Sequence, residues 1–373
     1  MTFDDFTNFL SSGAVVRWQN EWYLFWNLSG MKEVTASGQE FQDGIYSCDF
    51  ISGTVFNQSF SQSAKLTPQK YKEILDQYQL AKGLSLDHEN YNFEPEWKPI
   101  DKVLFRESFE KIKEAMQSGK VTKAVPICYQ NGHLLGPESR INQYKKLTFL
   151  NALFESQDNL IPYGQWSENK GFLGITPELF FNINNYQLST MALAGTSAKE
   201  TLQQDFLLDK KELLEHEIVI KDITEKLKSF GSCEVSQTYV AELPYLNHLK
   251  TDIKVQLNKD YNFLELFKKM HPTSALGIYP NSDYWQEFIK LPNQALRNSF
   301  GAPWGFKLQD QILLIVGIRR IEWEENNIRI PAGCGVIFES EFEKEFAEIE
   351  RKINSVKKVF MTKKRIREVF VNE

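Results

Sequence analysis

Two short stretches of the chain carry paired carboxylates at helical spacing. They are Glu212 and Glu215 in "KELLEHEIV" (211–219) and Glu345 and Glu348 in "KEFAEIERK" (344–352). Residues three apart share one face of a helix, so each stretch presents a face with two carboxylates. One reading is a solvated helix face, its charges answered by lysines one turn away. The chemical reading is that two helices bring their pairs together around a hard dication. Mg²⁺ takes oxygen ligands, uses only a few carboxylates and keeps waters or a substrate oxygen. Four facing carboxylates repel one another, so this second reading requires a cation.

Other residues could do acid–base or anion-binding work. "VTKAVPI" sets Lys123 in an apolar strand pattern. Lysine is seldom fully buried unless paired. Turned inward and neutral, Lys123 is a candidate general base; an edge or snorkelling lysine is the alternative. "GITPELFF" sets Glu178 between a proline turn and an apolar strand, where a carboxyl group stays protonated and can act as an acid. In "IVGIRRIEW", Arg319 and Arg320 should alternate in facing, so that one points inward. A buried guanidinium needs an anionic partner, either a ligand carboxylate held bidentately or an internal ion pair. In "IPAGCGVI", Gly333 and Gly335 allow a bulge or tight turn, or close approach of backbone N–H groups to an anion. His216, His248 and His271 lie in dense segments without metal-ligand spacing, so polar substrate contacts or core hydrogen bonds are expected of them.

Several elements must position these groups. Residues 13–60 hold short aromatic and β-branched runs separated by Gly, Asn and Ser, which predict antiparallel strands. The loop-like stretch 85–100 is a candidate subdomain boundary. A helix is predicted over 103–120, ending at Gly119, and "VTKAVPICYQ" reads as one strand. Residues 201–230 read as one long amphipathic helix, followed by strands in "TYVAELPYLNHLKTDIKVQL" and a short helix ended by Pro272. "QILLIVGIRRIEWEENNIRIPAGCGVIF" reads as a hairpin of two or three strands turning at "EENN". A C-terminal helix is predicted over 341–363. Hairpin connections with helices inserted between strand groups point to an α+β fold with antiparallel sheets.

Composition sets outer bounds. The chain has 373 residues, net charge −6, 42% hydrophobic residues and 28 phenylalanines, which predicts a large aromatic core. The net negative charge favours neither nucleic acid nor an anionic membrane as partner. No apolar run is long enough for a membrane span, and the first residues lack the apolar region of a signal peptide. Cys48, Cys128, Cys233 and Cys334 are scattered, which fits a reducing compartment; a cytoplasmic location is expected.

Taken in order, "GITPELFF", "ALAGT", "DKKELLEHEIVIKDI", "NHLKTDI", "HPTSALG", "RNSFGAPWG", "VGIRRIEW" and "PAGCGVIFESEFEKEFAEIERK" make residues from about 105 to 362 resemble the chorismate-utilising enzymes. That family includes isochorismate synthases, salicylate synthases and the large components of anthranilate and aminodeoxychorismate synthases. The resemblance implies a large two-sheet antiparallel β core with flanking helices. Residues 1–100 would be a β-rich N-terminal part of the same fold, and 101–373 the chorismate-binding catalytic region. It also implies that Glu215 and Glu348 hold Mg²⁺, with Glu212 and Glu345 supporting it directly or through water. Arg319 and the backbone around Gly333 and Gly335 would clamp a substrate carboxylate. Ala194, Gly195, Thr196, His248, Thr273 and Lys352 would complete the substrate site.

Within the family the chain is most similar to isochorismate synthases. These place a lysine at the position of Lys123, as the base that activates water for attack at C2. Glu178 then matches the acid that protonates the departing 4-hydroxyl. Ala194 stands where aminodeoxychorismate synthases commonly carry a nucleophilic lysine, and "HPTSA" differs from the amine-adding form. The expectation is an Mg²⁺-dependent isochorismate synthase, monomeric and without an amidotransferase partner, serving menaquinone or siderophore biosynthesis. A salicylate synthase, an amine-adding enzyme and a silent chorismate-binding protein remain as alternatives. Off-pattern positions are the Ser197-Ala198-Lys199 stretch, Phe300 where tyrosine is common, the reversed pair Gly301 and Ala302, and the missing arginine at the end of "KAVPICY".

Overall fold

The computed structural model describes residues 1–35, 41–83, 95–135, 138–154, 159–244 and 246–361. Two antiparallel sheets dominate it, of nine and ten strands among the described residues. Strands Gly13 lies in, Ser12–Trp18 and its partner Glu21–Leu28, show why the sequence makes them. Ala14, Val16, Tyr23 and Phe25 face an inter-sheet core with Ile45, Trp304, Phe306 and Ile315 of the other sheet. Val15, Trp22, Leu24 and Trp26 face the opposite way, into a cluster shared with helices. Successive strand residues point to opposite faces. Burial of both faces therefore turns such strands into continuous apolar runs rather than alternating ones.

Helices cover the outer faces. Lys210–Leu227 packs Val219, Ile223 and Leu227 on the ten-stranded sheet. Phe342–Met361 packs Phe346, Ile349, Ile353, Val356 and Phe360 beneath the nine-stranded sheet; each such side chain contributes about 1.5–3 kcal/mol on burial. Lys102–Gln117 meets this helix, with the Phe105 and Phe346 rings 5.8 Å apart. A third, three-stranded sheet joins Ile278–Tyr279, Lys123–Ala124 and Val336–Ile337. Strands from residues 12–66 enter both large sheets. No described helix is long and apolar enough to cross a membrane. The four cysteines are free thiols.

The elements differ from the sequence reading at definite places. The stretch 201–230 is not one helix: Gln203–Phe206 is separate from Lys210–Leu227, which starts anew at Asp209, whose carboxylate accepts from the Lys211 and Glu212 N–H groups. "VTKAVPICYQ" is two strands, Lys123–Ala124 and Ile127–His133, in different sheets. Pro126 lies between them; it has no N–H to donate to a ladder. Helices Phe3–Ser11, Pro68–Ala81 and Glu138–Phe154 were not expected. Of the candidate boundary at 85–100, residues 85–94 lie outside the described residues, as do 362 and 363 of the C-terminal helix. The "EENN" turn is present, with Glu324 paired to Asn327.

The chain passes from one sheet to another at four places that matter for function. Lys170–Thr176 leads through Pro177 and Glu178 to Leu179–Asn184. Gln311–Val316 leads through Arg319 to Arg320–Glu324. Asn327–Gly333 leads through Cys334 and Gly335 to Val336–Ile337. The break after Ala124 is the fourth. At such crossings the backbone leaves the ladder and side chains turn into the seam between sheets.

Candidate active site

A cavity occupies that seam. Glu178, Ala194, Gly195, Thr196, Glu215, His248, Arg319, Gly333, Gly335, Glu348 and Lys352 all line it, with apolar wall from Val125, Leu193, Ala275, Leu276, Phe300 and Ile318. Lys123, Glu212 and Glu345 lie just behind this lining and join it through ion pairs. Thr273 is not among the described lining residues. Its carbonyl instead accepts from the Leu276 and Gly277 N–H groups, and the turn so formed presents Ala275 and Leu276.

The two helices do bring their carboxylates together. Lys211 Nζ lies 3.0 Å from Glu212 Oε1, 3.0 Å from Glu345 Oε1 and 3.5 Å from Glu215 Oε2. Lys123 Nζ lies 3.2 Å from Glu215 Oε1, and Lys352 Nζ 2.6 Å from Glu348 Oε1. Burial first, then the Glu215 charge, pushes the Glu212 carboxyl up; burial and Glu348 do the same to Glu345. Glu348 is also pushed up by burial, but Lys352 and Lys211 outweigh this and hold it below the usual range. Buried, hard-oxygen and mutually repelling, this donor set is chemically suited to a divalent cation. As placed, its oxygens turn to ammonium groups, and no three metal-ligating side chains converge as a metal site among the described residues.

Glycine is required where these groups crowd. A Cβ on Gly335 would sit 2.0 Å from Glu215 Oε1 and 2.8 Å from Lys123 Cε. Gly195 adopts φ +77° at the register shift between Ala194 and Thr196, a conformation that favours glycine. This bulge turns the Thr196 N–H to Glu212 Oε2 at 2.7 Å and the Thr196 hydroxyl to Glu348 Oε1 at 3.2 Å.

Lys123 has no solvent exposure, and among the described residues its Nζ makes no hydrogen bond beyond the Glu215 ion pair. Its strand is pinned from both sides, Lys123 opposite Tyr279 and Ile337. Glu178 is 4% exposed. Burial pushes its carboxyl up to about 8, against the opposing pull of Lys123 and Lys352. The structure thus sets a carboxyl group that burial keeps protonated and a fully buried lysine close to one cavity.

Arg319 and Arg320 do not alternate as expected, because Arg319 takes φ +53° at the sheet crossing and both guanidinium groups point inward. Arg320 has the ordinary internal ion pair, Nε to Glu322 Oε1 at 2.7 Å. Arg319 instead donates to Ser355 Oγ at 2.9 Å and His248 Nε2 at 3.1 Å, with no carboxylate paired to it among the described residues. His248 Nδ1 lies 3.0 Å from the Gly195 carbonyl. The partners fix the tautomer: Nδ1–H donates to the carbonyl and Nε2 accepts from Arg319. Burial, with Arg319 and Lys352 nearby, drives the His248 pKa well below its usual value and keeps it neutral. His216 and His271 serve the core, the first bonded to Thr251 at 2.8 Å and the second to the Phe50 carbonyl at 3.1 Å.

The sequence reading missed Lys211, Ser355 and Arg297. Lys211 is visible in "KELLEHE" as the i,i+4 partner of Glu215, but spacing cannot show that it reaches the second helix. Arg297 is fully buried and donates to the carbonyls of Val125, Leu276 and Phe300 at 3.3, 3.0 and 3.5 Å. It ties together three segments of the cavity wall. Phe300 is buried and lines the cavity with no hydroxyl to offer.

The family described as chorismate binding enzyme matches residues 53–361. Isochorismate synthase MenF of Haemophilus influenzae is 31% identical over 259 residues, covering 67% of this chain and 58% of that protein. Anthranilate synthase component 1 of Acinetobacter calcoaceticus is 26% identical over 275 residues, 68% of this chain and 53% of that protein. The chain thus spans little more than half the length of these relatives. Among solved structures, MenF, the menaquinone-specific isochorismate synthase from Escherichia coli, aligns with a TM-score of 0.73 at 18% identity, covering 96% of this chain and 92% of that one. Anthranilate synthase component I from Streptococcus pneumoniae aligns with a TM-score of 0.66 at 16% identity, covering 92% and 89%. These two share the fold.

Proposed function

This chain belongs to the chorismate-binding enzyme family, and from that premise we propose that it is an Mg²⁺-dependent isochorismate synthase. The carrying observation is the pairing of Lys123 and Glu178, two buried titratable groups beside one cavity, the second held protonated to about pH 8. A carboxyl group that burial keeps protonated can act as the acid, and a lysine beside the same cavity is a candidate base. The isochorismate synthases among the relatives favour water addition over amine addition.

In this reading Arg319, which has no carboxylate partner among the described residues, takes one carboxylate of chorismate in a bidentate bond. His248 and Ser355 hold the guanidinium in place. Glu215 and Glu348 hold Mg²⁺, with Glu212 and Glu345 in support. When bound, the metal supplies charge neutralisation for the other substrate carboxylate. Lys123 in its neutral form takes a proton from water as the oxygen bonds to C2. The ring double bond migrates, the C4–O bond breaks, and Glu178 gives its proton to the departing hydroxyl, which leaves as water. One water is consumed and one released, so the net change is an isomerisation.

A pH dependence follows for the acid. Glu178 can donate only while protonated, so raising the pH through about 8 removes the active form. A pH–rate profile of kcat/KM is expected to break near that point, and the break should be absent from Glu178→Gln protein. A profile with no break there would take Glu178 out of the acid role. The function itself is tested by incubating the protein with chorismate and Mg²⁺ in amine-free buffer and identifying products by chromatography and mass spectrometry. Isochorismate is expected. Salicylate with pyruvate would move the assignment to the lyase, and an aminated product formed only on adding ammonium would overturn the water-attack reading.

A further inference from the structure

We infer that Lys211 is a built-in counter-cation of the carboxylate cluster, and that a divalent metal binds there by displacing it. The inference rests on the metal reading above. It comes from where the ammonium lies. Lys211 belongs to the first acidic helix, yet its Nζ reaches Glu345 of the second at 3.0 Å while contacting Glu212 at 3.0 Å and Glu215 at 3.5 Å. Among the described residues it is therefore the cation that bridges the two acidic pairs. Among the described residues Lys123 and Lys352 each have a single carboxylate partner, Glu215 and Glu348 respectively.

A dication shared by the two helices would bond carboxylate oxygens at about 2.0–2.1 Å. The ammonium already lies within ordinary ion-pair distance of Glu215, one of the two carboxylates read as metal ligands, and of Glu212 and Glu345, the two read as supporting it. Both cations cannot take the space between Glu215 and Glu345, so one must leave when the other arrives. Lys211 has a route out: its side chain is 21% exposed, whereas Lys123 has no exposure. Until then the ammonium limits the repulsion among carboxylates that burial alone would leave unanswered. The cost is weaker metal binding, because the metal must break three ion pairs before making its own contacts.

Two measurements test this without reading activity. First, Mg²⁺ is titrated calorimetrically into wild type, Lys211→Met and Lys211→Gln proteins. Both variants are expected to bind Mg²⁺ more tightly, by on the order of tenfold, the lower end for close charge pairs. Unchanged or weaker binding overturns the inference. Second, lysine labelling of the wild type is followed by mass spectrometry with and without Mg²⁺. Labelling of Lys211 is expected to rise several-fold with metal, because the freed ammonium moves into solvent. Unchanged labelling shows that metal and lysine coexist and overturns displacement, even if the variants bind more tightly. This second arm needs no variant to fold. If the wild type binds no Mg²⁺ at all, the metal reading fails and this inference falls with it. If it binds Mg²⁺ and Lys211 is indifferent, only the displacement fails.

Discussion

Lys123→Gln protein is expected to lose isochorismate formation by roughly 10²–10⁴-fold, the range for removing a general base, while still binding chorismate within a few-fold of wild type. Glutamine is close in length and polar, but it cannot take a proton from water at neutral pH. The backbone should hold, because Ala124 stays paired with Ile278 and Val336 on either side. The substitution also removes the 3.2 Å partner of Glu215. Magnesium binding must therefore be followed in parallel, so that loss of the base is not confused with a change at the metal. Product formation by chromatography and chorismate binding by calorimetry check the prediction. Unchanged turnover would remove Lys123 from the mechanism.

Glu348→Gln is expected to be nearly as severe. The side chain accepts from Thr196 at 3.2 Å and pairs with Lys352 at 2.6 Å. It is thus the carboxylate that connects the second helix to the "ALAGT" strand. Glutamine keeps the shape but removes the charge that a dication needs, and leaves Lys352 without its carboxylate. Activity at fixed Mg²⁺ should fall more than about 100-fold, beyond what losing an outer-sphere partner of a metal site costs. The Mg²⁺ concentration for half-maximal rate should rise. A magnesium titration indistinguishable from wild type would contradict the metal assignment.

The parts of the site written as local patterns were legible. The spacing of Glu345, Glu348 and Lys352 with Phe346, Ile349, Ile353 and Val356 predicts a helix with one buried face. The glycines of "PAGCGVI" announce close approach, and Gly335 against Glu215 is that approach. Asp209 followed by Glu212 is an N-cap signature that could have divided the stretch 201–230 into its two helices.

What was not legible is set by contacts distant in sequence. Strands buried on both faces look alike whichever sheet they join, so the crossings at Glu178, Arg319 and Gly335 leave no periodic mark. The alternation argument failed at Arg319 for that reason: a left-handed residue at a crossing resets which way side chains point. Lys211 was missed because its decisive partner, Glu345, is more than a hundred residues away. Thr273 looked available, but its carbonyl closes a turn that offers Leu276 to the cavity instead.

The central claim is that water, activated beside Lys123, adds to C2 while the C4 hydroxyl departs. It is tested most directly by running the reaction on chorismate in ¹⁸O-labelled water with Mg²⁺ and no amine, and locating the label in the product by mass spectrometry. The account predicts isochorismate carrying one solvent oxygen, at the C2 hydroxyl. Isochorismate without solvent oxygen, or chorismate left unchanged by protein shown to bind it, would contradict it.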